Sequence, residues 1–232
     1  MTKRIEKQKV AFTLGEVLIT LAIIGVVAAV TLPMLVKNYQ KKTTVIKLRK
    51  TISTLNQALK LSEVDNGDYE IWQQPSSTFT FNQYVDTYWL PYMKIAKRCT
   101  SMYVCGYKPN YGVNFRHFQY NGGTIGISFF VANNNPIMLQ DGTVIKFDVL
   151  AEGGYADANQ KIIRVDLNGS KKPNKLGRDL FYLIRNEKGY IGPYYSEKIE
   201  NTRDSLSLNC RNSGRTCARL IELDGWKINY PW

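Results

Sequence analysis

Two hydrophobic patterns follow one another along the first third of the chain. From Val17 to Val36 no residue is charged and most are apolar, a run of 20. That length suits a helix of roughly 30 Å, enough to cross a bilayer. From Val45 the pattern turns periodic: Val45, Leu48, Ile52, Leu55 and Leu59 recur at alternating steps of three and four. Such spacing places them on one stripe and predicts that the helix continues and docks against a sheet. Asp65-Asn66-Gly67-Asp68 is a stop signal, because Asn and Gly adopt the left-handed conformation that ends helices. Pro33 removes one backbone donor and predicts a bend within the apolar part.

Further on, Phe81 to Lys94 reads as a short second helix interrupted by Pro91. Thr124–Val131, Pro136–Gln140, Thr143–Val149 and Lys161–Val165 are rich in strand-forming residues, and Asp141-Gly142 between two of them signals a hairpin. The expected fold is α+β, a long N-terminal transmembrane helix packed on an antiparallel β-sheet head. Four stretches follow: residues 1–11, a basic leader; 12–36, the transmembrane and assembly helix; 37–65, its continuation outside the membrane; and 66–232, the globular head.

The leader changes what the apolar run means. Met1 to Ala11 carries Lys3, Arg4, Lys7 and Lys9 against Glu6, a balance that holds this end in the cytoplasm. A secretory signal places its small-residue cleavage site after the apolar core, whereas here Ala11 precedes it. Cleavage after Ala11 removes the charges and keeps the helix. Glu16 lies at the edge of the apolar segment, where a carboxylate is costly and calls for a partner. The new amino group of Phe12, on the same or a neighbouring subunit, is the nearest candidate. A plain signal anchor has no need of that acid.

In these residues the chain resembles the type IV pilins and the pilin-like pseudopilins of type II secretion and DNA-uptake machines. Members share a small residue before the cut, a Phe that starts the mature chain, a Glu at its fifth residue and often a Pro late in the apolar helix. Ala11, Phe12, Glu16 and Pro33 fill these positions, with Ala11 where Gly is commoner and Gly15 where Ile is common. The resemblance implies cleavage and N-methylation of Phe12 by a prepilin peptidase. It also implies partnership with other pilin or pseudopilin subunits and with an inner-membrane assembly platform, and assembly into a helical filament. The N-terminus would be cytoplasmic and the head periplasmic or extracellular, in a bacterial inner membrane before assembly.

Charge and cysteines refine this. The formal charge is +12, of which the leader supplies +3 and residues 66–232 only +5. Much of the rest stands just after the apolar run, at Lys37, Lys41, Lys42, Lys47, Arg49 and Lys50. These suit a solvated helix face or anionic lipid heads. Cys99, Cys105, Cys210 and Cys217 allow three disulfide connectivities, of which two local loops are the simplest, and disulfides fit a head outside the cytosol. Spacers of five and six residues exceed the usual structural-zinc spacing.

Val165 to Phe181 spaces oxygen-bearing side chains with turn residues. It is similar to an Asp-x-Asn-Gly, Pro-Asn, Gly-x-Asp-x-Phe pattern of some pseudopilin-like heads. Asp166, Asn168, Asn174 and Asp179 are candidate calcium ligands. Against a cation stand Lys171, Lys172, Lys175 and Arg178, so the nearer reading is a loop closed by its own hydrogen bonds. The terminal aromatics, Trp226 to Trp232, read as a final strand or flap packed on the core.

Catalytic motifs are lacking, and His117 is the only histidine, so the reading is a non-enzyme. Tyr107, Lys108, Tyr111, Arg116, Phe118 and Tyr120 interleave rings and cations, which suits stacking on single-stranded nucleic acid but equally a half-buried strand. Function therefore points to a filament subunit of a type II secretion pseudopilus or type IV pilus. The alternatives are a DNA-binding minor pilin and a membrane-anchored receptor head that never polymerises.

Overall fold

The computed structural model describes residues 13–75, 80–100, 104–107, 117–118, 124–125, 136–149, 161–196 and 199–231. Helix α1 runs Leu14–Asn66 and continues through Pro33. Gly67, at φ +77°, ends it at the expected stop. The chain divides into two compact units, Met1–Gln40 and Lys41–Trp232, so the second half of α1 belongs to the head. Within the first unit the large apolar side chains are exposed, from Leu14 through Val36. α1 is long and apolar enough to cross a membrane, with a mean hydropathy of 2.5 in its apolar window.

In the head, the buried positions of α1 are Val45, Leu48, Thr51, Leu55, Ala58, Leu59 and Ser62, the stripe expected from spacing with Ile52 only partly buried, widened by small residues. They pack on one face of a six-stranded antiparallel sheet. Its strands are β1 (Ile95–Arg98), β4 (Ile137–Leu139), β5 (Val144–Val149), β6 (Lys161–Asp166), β7 (Leu180–Arg185) and β8 (Ile191–Pro193), side by side in that order. Strands β2 (His117–Phe118) and β3 (Thr124–Ile125) pair separately. The β4–β5 connection is the Asp-Gly hairpin: Asp141 Oδ1 accepts the Thr143 N–H at 3.1 Å, and Gly142 takes φ +83°.

Registers align Val144, Asp166 and Leu180, then Ile145, Val165 and Phe181, across β5, β6 and β7. Side chains alternate between faces along each strand. Ile145, Phe147, Ile163, Val165, Phe181 and Leu183 join the α1 stripe in one core. Val144, Ile162, Leu180, Tyr182 and Ile184 form a second core with Tyr107, Tyr194 and the Cys99–Cys105 pair. The sheet is thus buried on both faces, not on the helix side alone. Asp166 belongs to the second face.

Helix α2 (Phe81–Tyr88) is shorter than the expected Phe81–Lys94. Thr80 and Gln83 open it with a reciprocal capping box, and a separate 3₁₀ turn, Leu90–Tyr92, carries Pro91. Trp72 stacks on Tyr88 with ring centroids 4.5 Å apart, and its Nε1–H donates to Gly67 O at 2.8 Å, tying the end of α1 to α2. Two helices follow the sheet, α3 (Arg203–Ser213) and α4 (Cys217–Leu223). After them Ile228 and Tyr230 are buried and Trp226 packs on the core, which is the flap and not a strand. Both disulfides are local, Cys99–Cys105 and Cys210–Cys217.

The basic residues after the apolar run are not merely solvated. Lys41 donates to Ile228 O at 3.0 Å and Tyr230 O at 3.3 Å, and Lys47 to Leu167 O at 3.4 Å. Lys50 pairs with Asp141 at 2.8 Å, and the Arg49 guanidinium lies 5.4 Å from the Trp226 ring centroid. Charge here fastens the head to its own helix, a role that local spacing could not reveal.

At β8, Asn56 of α1 takes the place of a neighbouring strand. Its Nδ2 donates to Ile191 O at 2.7 Å and its Oδ1 accepts the Ile191 N–H at 2.8 Å. Asn56→Ala leaves both backbone groups unpaired, with an expected cost of about 1–3 kcal/mol. Urea unfolding checks the cost, and faster hydrogen exchange at the Ile191 amide locates it.

Candidate functional site

Leu167 to Asp179 connects β6 to β7, and its ends are fixed by adjacent strands. The chain must reverse within this stretch. Gly169 at φ +64°, Asn174 at φ +50° and Gly177 at φ +77° supply the left-handed turns, and the Lys172–Pro173 bond is cis. All four predicted ligand residues meet here. Asn168 joins the two acids: its backbone N–H donates to Asp166 Oδ1 at 3.1 Å and its Nδ2 to Asp179 Oδ2 at 3.1 Å. Asp166 Oδ2 also accepts the Tyr107 hydroxyl at 2.7 Å. Asp179 accepts the N–H groups of Asn174 at 2.7 Å and Lys175 at 2.5 Å.

Closure by internal hydrogen bonds is therefore realised, as the turn chemistry suggests. It does not use every oxygen. Asn168 Oδ1 is shielded from solvent and has no hydrogen-bond partner. The Asn174 side chain is 4% exposed; in one amide orientation its oxygen faces Lys171 O at 3.1 Å and Gly169 O at 3.2 Å, and in the other its nitrogen donates to both.

The two carboxyls are unusual in their setting. Asp166 is 0% and Asp179 4% exposed. Burial, then the neighbouring Asp179 charge, pushes Asp166 well above the usual carboxylate range. Burial raises Asp179 to about 6, against the opposing pull of the Lys175 and Asn174 N–H groups. Burial and the Asp166 charge likewise raise the Tyr107 hydroxyl. Lys171 and Lys172 are exposed, and among the described residues no lysine or arginine forms an ion pair with either acid.

The loop also meets α1, the hairpin, the first disulfide and the α3–α4 region. A Cβ on Gly106, beside the first disulfide, would lie 3.1 Å from Ser170 Oγ, and one on Gly169 would lie 3.0 Å from Gly142 O in the hairpin. Lys47 reaches Leu167 O from α1. At the far end Gly177 packs on Cys217 Sγ, the Tyr230 hydroxyl donates to Gly177 O, and Leu176 lies against Gly214.

The remaining sequence candidates fall elsewhere. Glu16 caps its own helix start: its Oε2 accepts the Thr13 N–H and hydroxyl, each at 2.9 Å, and its N–H donates to Thr13 Oγ1 at 3.2 Å. This is a capping box, legible as Thr-x-x-Glu and missed in the search for a distant partner. Pro33 lies within α1. Ala11, Phe12, Lys108, Tyr111 and Arg116 lie outside the described residues, as do the side chains of His117 and Phe118. Tyr107, read with the ring-and-cation alternation, instead turns inward to Asp166.

No curated protein and no solved structure matches the chain. The model of a family of unknown function (DUF6613) matches residues 34–232, from the end of the apolar run through the whole head. The chain belongs to that family.

Proposed function

We propose that this chain is a pilin-like structural subunit, cut after Ala11 and N-methylated on Phe12 by a prepilin peptidase. It then assembles through α1 into a type II secretion pseudopilus or a related type IV pilus filament. One observation carries the reading: α1 buries side chains in its own head only from Val45 onward, and leaves an apolar run with Glu16 near its start exposed. Such a surface suits lipid before assembly and neighbouring copies of the same helix after it. Basic leader, Ala11-Phe12 and Glu16 stand in the order that processing requires. In this reading the head is periplasmic or extracellular, which agrees with two disulfides. The protein is a substrate of enzymes and acts by assembly.

A second reading, a membrane-anchored head that never polymerises, draws support from the capping box, which gives Glu16 a role within its own chain. Intact and N-terminal peptide mass spectrometry of the membrane-purified protein separates the two. With an active prepilin peptidase, the mature chain is expected to begin at Phe12 and carry one methyl group. A chain that keeps Met1 to Ala11 under those conditions favours the anchored head and ends the filament reading.

A further inference from the structure

We propose that the head docks head to tail on the head of a second copy of this chain: the flank of α1 that carries Lys42 and Arg49 on one molecule meets the far end of α1, with Asp65 and Asp68, on the next. The inference deepens the filament reading above and rests on it. Charge is segregated along this part of the chain. Lys37 to Lys60 holds seven cations and no acid, and Leu61 to Met93 holds five acids and no cation.

The head uses some of these charges itself and leaves the rest. Lys41 and Lys47 are bonded to backbone carbonyls and Lys50 to Asp141. Among the acids, Glu70 pairs with Arg185, Asp86 with Arg98, and Glu63 lies 3.7 Å from Lys60. Lys42 and Arg49 remain at one end, with Lys227 of the flap beside the Trp226 ring that Arg49 covers. Asp65 and Asp68 remain at the other. All five are exposed, and among the described residues none of them forms an ion pair. Asp65 is held in place, since its Oδ2 accepts the Tyr92 hydroxyl at 3.0 Å. Each set has apolar neighbours that join neither core: Ile46, 67% exposed, stands between Lys42 and Arg49, and Val64, 81% exposed, precedes Asp65. An apolar centre rimmed by charge is the make-up of a protein–protein contact.

Helical geometry fixes the partner. Lys42 and Asp65 lie on one helix about 34 Å apart along its axis and ~140° apart around it, on different flanks. That separation is several times the Debye length of about 8 Å, so the two charges cannot satisfy each other within one molecule. Copies anchored in one membrane share an orientation. Two of them side by side, one displaced by about that length, bring the acidic end of one against the basic flank of the other. Neighbours in register would instead set cations against cations, which rejects that arrangement. The two surfaces differ, so the contact is heterologous, and its repetition extends an open helical series instead of closing a dimer.

Bis-maleimide cross-linking of the full-length protein in membranes and sheared filaments tests the contact, because all four native cysteines are in disulfides and do not react. Lys42→Cys/Asp65→Cys is expected to give a ladder of dimers, trimers and higher species, and either single variant none. Lys42→Glu and Asp65→Lys are each expected to lower filament yield roughly fivefold, and the two together to recover most of it. Filaments recovered without a ladder overturn the docking and leave the filament reading standing; the absence of both filaments and ladder ends the two together. Dimers from a single-cysteine variant show a symmetric contact and overturn the proposal. A loss in Lys42→Glu that Asp65→Lys neither shares nor repairs assigns the lysine to anionic lipid headgroups and overturns it as well.

Discussion

Gly214→Ala is expected to cost the head about 2–5 kcal/mol, a large part of the total stability of a domain this size. Gly214 terminates α3 at φ +71°, its N–H donated to Cys210 O at 3.0 Å. Forcing alanine into that left-handed region accounts for about 1–2 kcal/mol. A Cβ there would also overlap the side chain of Leu176, within 2.7 Å of Cδ1 and 2.9 Å of Cγ. Leu176 is buried and its backbone is held in the β6–β7 loop, so it cannot retreat cheaply, which adds about 1–3 kcal/mol. Gly142→Ala provides the control. It has φ +83° but nothing within 4 Å of a Cβ, so only the backbone contribution of about 1–2 kcal/mol applies. Urea unfolding of both variants measures the difference. Equal losses would show that Leu176 does not press on the end of α3 and that the loop is not anchored there.

If, in the proposed filament, the Glu16 carboxylate neutralises the amino group of a neighbouring Phe12, Glu16→Gln is expected to leave membrane insertion and the helix start intact while reducing filament yield roughly tenfold or more, because the amide keeps the Thr13 bonds and loses the charge. The two roles of Glu16 can be separated by chemistry. Glutamine keeps an oxygen for the Thr13 N–H and serves in a capping box as glutamate does. It cannot neutralise the amino group of Phe12. Glu16→Ala removes both functions, and so reports their sum. Sedimentation of sheared filaments beside membrane fractionation gives both quantities from one culture. If Glu16→Gln assembles as wild type does, the acid is a helix cap and nothing more, and the charge-pairing account of register is wrong.

What could be read from the sequence was local. The α1 stripe, the stop at Gly67, the Asp141-Gly142 hairpin and the two short disulfides depend on neighbours within a few positions, and each appears in the structure. Strand β7, Leu-Phe-Tyr-Leu-Ile-Arg, escaped because both of its faces are buried, which abolishes alternation, and β8 has only three residues. Helix α3 has a cap at Thr202 and a stop at Gly214, yet only Leu206 and Cys210 are buried, too few to make a stripe. At the candidate site the four side chains that meet were legible as turn-forming oxygen donors. The contribution of Tyr107 was not, since it lies 59 positions from Asp166 and only the second sheet face brings them together. The fastenings from Lys41, Lys47 and Lys50 span still longer separations.

Both ends of the sheet bear on how copies of this protein can live side by side. At one end β1 pairs irregularly with β4 between Ile95 and Lys97 and carries Lys97 and Arg98; at the other, Ile191 of β8 is already bonded to Asn56, and Pro193 has no N–H to offer. Neither is a good template for a foreign strand. A molecule crowded against its own kind is therefore protected from fusing head to head into an irreversible β-aggregate. In a filament of the kind proposed, copies drawn together through α1 would keep their heads as separately folded units.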